Sequence, residues 1–220
     1  MPLVQTAVAG FAEYHKIETL FDRDERFVVD PSKLKKPVLG TINTWDVTEK
    51  IDGTNIRVML GDDGSVQFGG RSDKAQLPAD LLNKLATMLP QSKLVDALWL
   101  NGPVPVVLYG EGYGAGIQKG GGYRPDKSFI LFDVLIDGKW WLDREAVDLV
   151  ASKLGVDVVP YLGRMNLEQV VSLVRNPFQS KIGTATAEGV VARPIEPLFD
   201  RKCERVIIKL KTKDFVPGKR

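Results

Sequence analysis

The stretch Thr48-Glu49-Lys50-Ile51-Asp52-Gly53-Thr54-Asn55 decides how this sequence is read. Its centre is Lys-x-Asp-Gly, with Lys50 as the lysine. A lysine amine can bond covalently to phosphorus, provided it is neutral at the moment of attack. With a free pKa of about 10.4, roughly one lysine in a thousand is neutral near pH 7.5. A site that uses Lys50 as a nucleophile must therefore supply desolvation or nearby positive charge. The plain alternative is a surface lysine in a β-turn, because Asp-Gly is a common turn pair. The remaining sequence decides between them.

Apolar residues make up 44% of the 220, enough for a real core, and the net charge of +2 excludes a uniformly basic surface. The charge is uneven: residues 201–220 hold eight Lys/Arg against two acids, an end suited to phosphates or to plain solvation. A single cysteine, Cys203, forbids an internal disulfide and points to a reducing compartment. No apolar run approaches a membrane span, and the N-terminus lacks a signal-peptide pattern, so a cytosolic protein is expected. The single histidine, His15, excludes zinc sites with two histidines and paired-histidine phosphoesterases. It is expected to be an ordinary residue near the start of a helix or turn.

Strands and turns surround the lysine. Residues 1–40 read as a partly irregular lead-in, with a charged run at 22–26 and a small cluster of Lys33, Lys35 and Lys36. Trp45-Asp46-Val47 runs as a strand into the lysine turn, and residues 55–60 leave it as a second strand. Gly61-Asp62-Asp63-Gly64 is a hairpin turn, returning through Val66-Gln67-Phe68. Gly69-Gly70 before Arg71 permits close backbone approach to a ligand or merely shapes a bend. The spacing predicts helices over 78–89, 144–154 with Gly155 as the stop, and 167–175. Gly110-Glu111-Gly112 is expected at the end of a strand over 104–109. Residues 113–122 are glycine-rich but lack the context of a dinucleotide or Walker site, and read as a loop. Residues 129–136 form a buried strand with Asp133 beside Phe132, and 187–194 another with Glu188 at its start. In 205–211, Val206, Ile208 and Leu210 share one face, while Ile207, Lys209 and Lys211 share the other. Two lysines side by side repel unless an anion lies near, and they favour the neutral form of a third lysine beside them. The alternative is a solvated edge strand.

Together these stretches resemble the covalent nucleotidyltransferases, the superfamily of ATP- and NAD-dependent ligases and mRNA capping enzymes. Glu-Lys-Ile-Asp-Gly-Thr-Asn at 49–55 looks like the first motif, Gly110-Glu111 the third, and residues 129–134 its extension. Glu188-Gly189-Val190-Val191 looks like the fourth and Ile208-Lys209-Leu210-Lys211 the fifth. Within the superfamily the chain is most similar to the RNA ligase 2 family of phage-type nick-sealing enzymes, on Gly114-x-Gly116-Ile117-Gln118-Lys119, Phe132-Asp133 and Ala187-Glu188-Gly189.

The resemblance implies an α+β nucleotidyltransferase fold of mainly antiparallel sheets with flanking helices. For this chain one domain over 1–220 is expected, the lead-in packed on it, with no separate C-terminal domain. Lys50 would attack the α-phosphate of ATP and become lysyl-AMP. Glu49 and Ile51 would help hold the adenosine, and Asn55 would lie near the reacting phosphate. Arg71 and Glu111 would hold the ribose and Phe132 would stack on adenine. Glu188 would serve Mg²⁺ (or Mn²⁺) and the phosphates, and Lys209 and Lys211 would contact the α-phosphate. AMP would pass to an RNA 5′-phosphate and be displaced by a 3′-hydroxyl, most naturally in a nicked duplex. The phage-type relatives continue past the fifth motif into a C-terminal domain that helps engage RNA, whereas this sequence stops soon after that motif, either as a minimal ligase or as a cut chain, and both leave nick recognition open. The rivals are the same core acting on DNA nicks, and a catalytically idle nucleotide- or RNA-binding module. NAD is less suited as donor, since no N-terminal nicotinamide-binding module is visible, and GTP-dependent capping is less suited because capping enzymes do not carry the Gly114-x-Gly116-Ile117-Gln118-Lys119 stretch.

Overall fold

The computed structural model describes residues 12–24 and 29–215. The charged run at 22–26 and the basic end at 201–220 therefore lie partly outside the described residues. In chain order the elements are β1 Glu18–Thr19, β2 Phe21–Arg23, β3 Val29–Leu34, β4 Trp45–Lys50, β5 Thr54–Leu60 and β6 Val66–Gly69, then α1 Ala79–Met88, α2 Gln91–Leu98, β7 Val106–Tyr113, β8 Ser128–Ile136 and β9 Trp140–Trp141. They continue as α3 Arg144–Leu154, β10 Asp157–Val158, β11 Tyr161–Met165, α4 Leu167–Arg175, β12 Gly189–Pro194 and β13 Ile208–Lys211. The chain divides into two compact units. One holds residues up to Tyr14 and Gly53–Val158; the other holds His15–Asp52 and the chain from Val159 onward.

The first unit is built on one sheet of order β10-β8-β7-β5-β6, with β9 paired to β8. Its pairings are antiparallel except β10 with β8. Three helices cover it. α1 presents Leu81 and Leu85 at helical spacing, and Leu89 follows at the cap; all three are fully buried against Ile56, Phe129 and their neighbours. α3 runs as the periodicity predicts and stops at Gly155, whose φ of +56° is the left-handed cap that glycine reaches without penalty. α2 was not legible in the sequence. It is short and opens directly behind Pro90, which reads as a breaker but serves here as the residue before the first turn.

The second unit is a sheet of order β1-β13-β12-β4-β11 beside the hairpin β2-β3. α4 lays Val170 and Val174 on a core that includes Trp45, Val47, Val190, Ile208 and Leu210. Asn166 caps α4 by accepting from the Gln169 N–H, and the Gln169 side chain returns the bond.

Two expectations are corrected. The partly irregular lead-in carries strands as well: β1 runs parallel to β13, and β2 and β3 form a hairpin. Lys33 and Lys35 make surface ion pairs with Asp22 and Glu18, at 3.3 and 2.7 Å. β7 continues past Tyr109 to Tyr113, so Glu111 lies within a strand rather than at its end. Ile207, expected on the lysine face, lies just before β13 and is buried.

Candidate active site

The register of β12 brings the charged residues of the second unit together. β12 lies between β4 and β13, and its first residue, Gly189, pairs with Lys50 on one side and Lys211 on the other. Glu188, the residue before it, therefore emerges between the ends of both strands. Its Oε2 accepts from Lys50 Nζ at 2.6 Å, and its Oε1 lies 2.5 Å from Lys211 Nζ. Strand alternation buries Ile208 and Leu210 and leaves Lys209 and Lys211 on the opposite, half-buried face. For Lys211 the anion is supplied by the chain itself, as Glu188. All three side chains of this triad are at most a quarter exposed, where charge pairing is screened less than at the surface. Burial pushes the Glu188 carboxyl up, but the two ammonium groups, Lys50 first, outweigh it and hold it below its ordinary range.

Glu49 points the other way from Lys50 and is 1% exposed. Its Oε2 accepts from the Lys181 N–H at 2.9 Å, whereas Oε1 is buried without a hydrogen-bond partner. Buried carboxylate oxygens are almost always satisfied, and this one is an exception. Ile51 is buried beside the lysine in sequence.

The other candidate residues belong to the first unit. Asn55 on β5 pairs in register with Glu111 on β7, which puts both on neighbouring strands. The Asn55 Oδ1 is buried and has no partner. Gly53 approaches the same place: a Cβ there would lie 2.3 Å from the Gly112 carbonyl and 2.6 Å from Glu111 Cγ. That is why the motif carries glycine after aspartate. Phe132 sits at a β-bulge, since β8 steps from Leu131 opposite Gly110 to Asp133 opposite Tyr109. Bulges re-aim side chains, and Phe132 is the half-exposed residue between two fully buried ones. Arg71 is exposed, in the turn after β6.

Three features escaped the sequence reading. Arg57, inside the apolar run of β5, is 1% exposed and donates to the Gly70 carbonyl at 2.8 Å and to Asp73 at 2.7 Å. It thus fixes the turn that carries Arg71. A lone arginine within a buried strand was the signal. Tyr14 donates to the buried Asp133 at 2.8 Å and meets the Phe132 ring edge-on at 5.1 Å. Tyr113 donates to Asp157, which also takes Arg124, and so anchors the glycine-rich loop; burial and that carboxylate push the phenol up to about 12.

Residues 43–211 match the family model described as RNA ligase, and the chain belongs to that family. Its α+β architecture is of the nucleotidyltransferase type. Solved structures agree. A Naegleria gruberi RNA ligase mutant in its apo form is 21% identical, with a TM-score of 0.60 over 81% of this chain and 53% of that one. A mutant of that ligase with ATP and Mn is 20% identical, with a TM-score of 0.63 over 91% and 59%. The same ligase with PPi is 19% identical, with a TM-score of 0.62 over 96% and 62%. The chain thus spans little more than half the length of these proteins. No curated protein sequence matches. Among the described residues no helix is long and apolar enough to cross a membrane, and no group of three or more His, Cys, Asp or Glu could hold a metal alone.

Proposed function

We propose that this chain is the nucleotidyltransferase domain, acting as one domain, of an ATP-dependent RNA ligase that works in the cytosol. It would join RNA 3′-hydroxyl and 5′-phosphate ends through lysyl-AMP and adenylated RNA. The observation that carries the reading is the Lys50–Glu188–Lys211 triad at 2.6 and 2.5 Å. Charge stabilisation dominates phosphoryl and nucleotidyl transfer, and this triad places a carboxylate and one further cation, Lys211, beside the motif lysine.

Lys50 is the nucleophile: its amine must lose a proton to solvent and leave Glu188, and its N–P bond forms as the bond from the α-phosphorus to the bridging oxygen breaks and pyrophosphate departs. Lys211 and Lys209 take the α-phosphate oxygens. The free oxygen of Glu49 accepts the exocyclic amine of adenine, with Ile51 against the nucleoside. Asn55, Arg71, Glu111 and Phe132 serve the reacting phosphate, the ribose and the base as the family resemblance assigns them. The residues present fit Mg²⁺ or Mn²⁺: a single hard carboxylate, Glu188, suits an ion that keeps several waters and completes its shell with phosphate oxygens. When bound there the metal supplies positive charge to the phosphates.

Radiolabelled ATP tests the reading. Wild-type protein should take up label that survives denaturation, and Lys50→Ala should take up none. An unlabelled wild type would refute an enzyme and leave an idle binding module. Sealing of pre-adenylated RNA against DNA nicks separates the RNA ligase from a DNA nick ligase with the same core.

A further inference from the structure

The basic run near the end of the sequence divides between two places. Lys209 and Lys211 go to the candidate site, whereas Arg201 and Lys202 go to the tip of a hairpin, 195–205, that joins β12 to β13. This hairpin is a built element. The Val206 N–H donates to the Leu198 carbonyl at 2.8 Å, Asp200 to Glu204 at 2.9 Å, and Cys203 to Asp200 at 2.9 Å. The Asp200 carboxylate closes the tip by accepting from the N–H groups of Lys202 and Glu204, and Lys36 lies 3.8 Å away. Asp200 is thereby engaged, Glu204 and Glu196 point to solvent, and Arg201 and Lys202 are exposed with no ion pair among the described residues.

Beside these cations Leu198 is 41% exposed and Phe199 is 57% exposed. Folding gains little from an aromatic ring left in water. A ring next to two available cations is the pairing by which nucleic-acid strands are held: a base stacks on the ring and phosphates meet the charges. A protein interface fits less well, because lysine and glutamate are depleted in interface cores. The register of β12 with β13 puts Glu188 and Lys211 at one strand end, and the hairpin leaves from the other. Nine residues of extended chain separate Lys202 from Lys211, at most about 30 Å. The tip therefore lies away from the reacting phosphate and within reach of the same RNA molecule.

We propose that the hairpin 195–205 is an RNA-docking element, with Phe199 stacking on an unpaired base of the strand flanking the junction and Arg201 and Lys202 neutralising its phosphates. The proposal rests on the RNA-ligase reading above.

The sole cysteine, Cys203, is exposed at this tip. A benzophenone attached there in the full chain should crosslink under light to a 5′-phosphorylated RNA duplex with a single-stranded flank. Binding of that RNA, followed by fluorescence anisotropy across a salt series, should weaken about tenfold in Arg201→Ala/Lys202→Ala. The slope of log Kd against log salt should fall by roughly 1.4. Phe199→Ala should weaken binding about fivefold or more. Both variants should take label from ATP as wild type does, which shows an intact fold. No crosslink, or a charge variant with wild-type affinity and slope, overturns the proposal. So does self-association of the wild type that Phe199→Ala abolishes without changing RNA affinity. Failure of the ligase reading appears separately, as a wild type that takes no label from ATP.

Discussion

Exchanging Glu188 for glutamine keeps the side chain's shape and removes the charge that holds Lys50 and Lys211. Two partly buried ammonium groups are then left without a counter-charge. The variant should lose about 1–3 kcal/mol of stability at neutral pH and most of its adenylation rate. Because the folded protein holds the Glu188 carboxyl low, the stability it contributes is present above the unfolded value and disappears as pH falls through the folded value. The gap in melting temperature between wild type and Glu188→Gln should therefore be full at pH 6–7 and shrink below about pH 4.3. A gap that stays constant down to pH 3 would remove the charge argument. Lys209→Ala and Lys211→Ala should each slow adenylation by tenfold or more while the fold, checked by circular dichroism, is kept. The sequence made both lysines visible through strand alternation. It did not reveal that Glu188 stands between Lys50 and Lys211, because that follows from Gly189 pairing with both strands across twenty to more than a hundred residues of chain.

The elements differ in how plainly the sequence announces them. α1, α3 and α4 follow from apolar periodicity, and α3 also from its glycine stop. α2 was hidden by the proline before it, and the extension of β7 by glycines that usually end strands. In β7 these glycines instead make room: a Cβ at Gly110 would lie 2.3 Å from the Phe129 ring and 2.4 Å from the Ile130 carbonyl. The bulge at Phe132 had no sequence signal, since one unpaired residue in a strand alters neither composition nor period. Gly53→Ala is the test at this scale. Its new methyl meets the backbone of β7 and the stem of Glu111, so the variant should be destabilised by about 1–3 kcal/mol. Its KM for ATP should rise as Glu111 is displaced. Unchanged unfolding and an unchanged KM would show that this turn has room to give.

At the scale of the whole chain, a net charge of +2 says little about partners, whereas its placement says more. Lys211 lies at one end of the β12–β13 pair and Arg201 and Lys202 lie in the hairpin beyond the other, and only the fold separates them. Five short motifs in order were enough to read the family. Substrate choice was not legible, since it depends on exposed surfaces that no periodicity marks. A preference for RNA should appear as faster sealing of pre-adenylated RNA nicks than of matched DNA nicks, and equal rates would leave the sugar unread.

Intact-mass spectrometry of the purified protein with ATP and Mg²⁺, followed by peptide mapping, measures the central claim directly. The account predicts the mass of one AMP added to the wild type, carried on the peptide that contains Lys50, and no addition to Lys50→Ala. An unmodified wild type, or AMP found on any other residue, would contradict it.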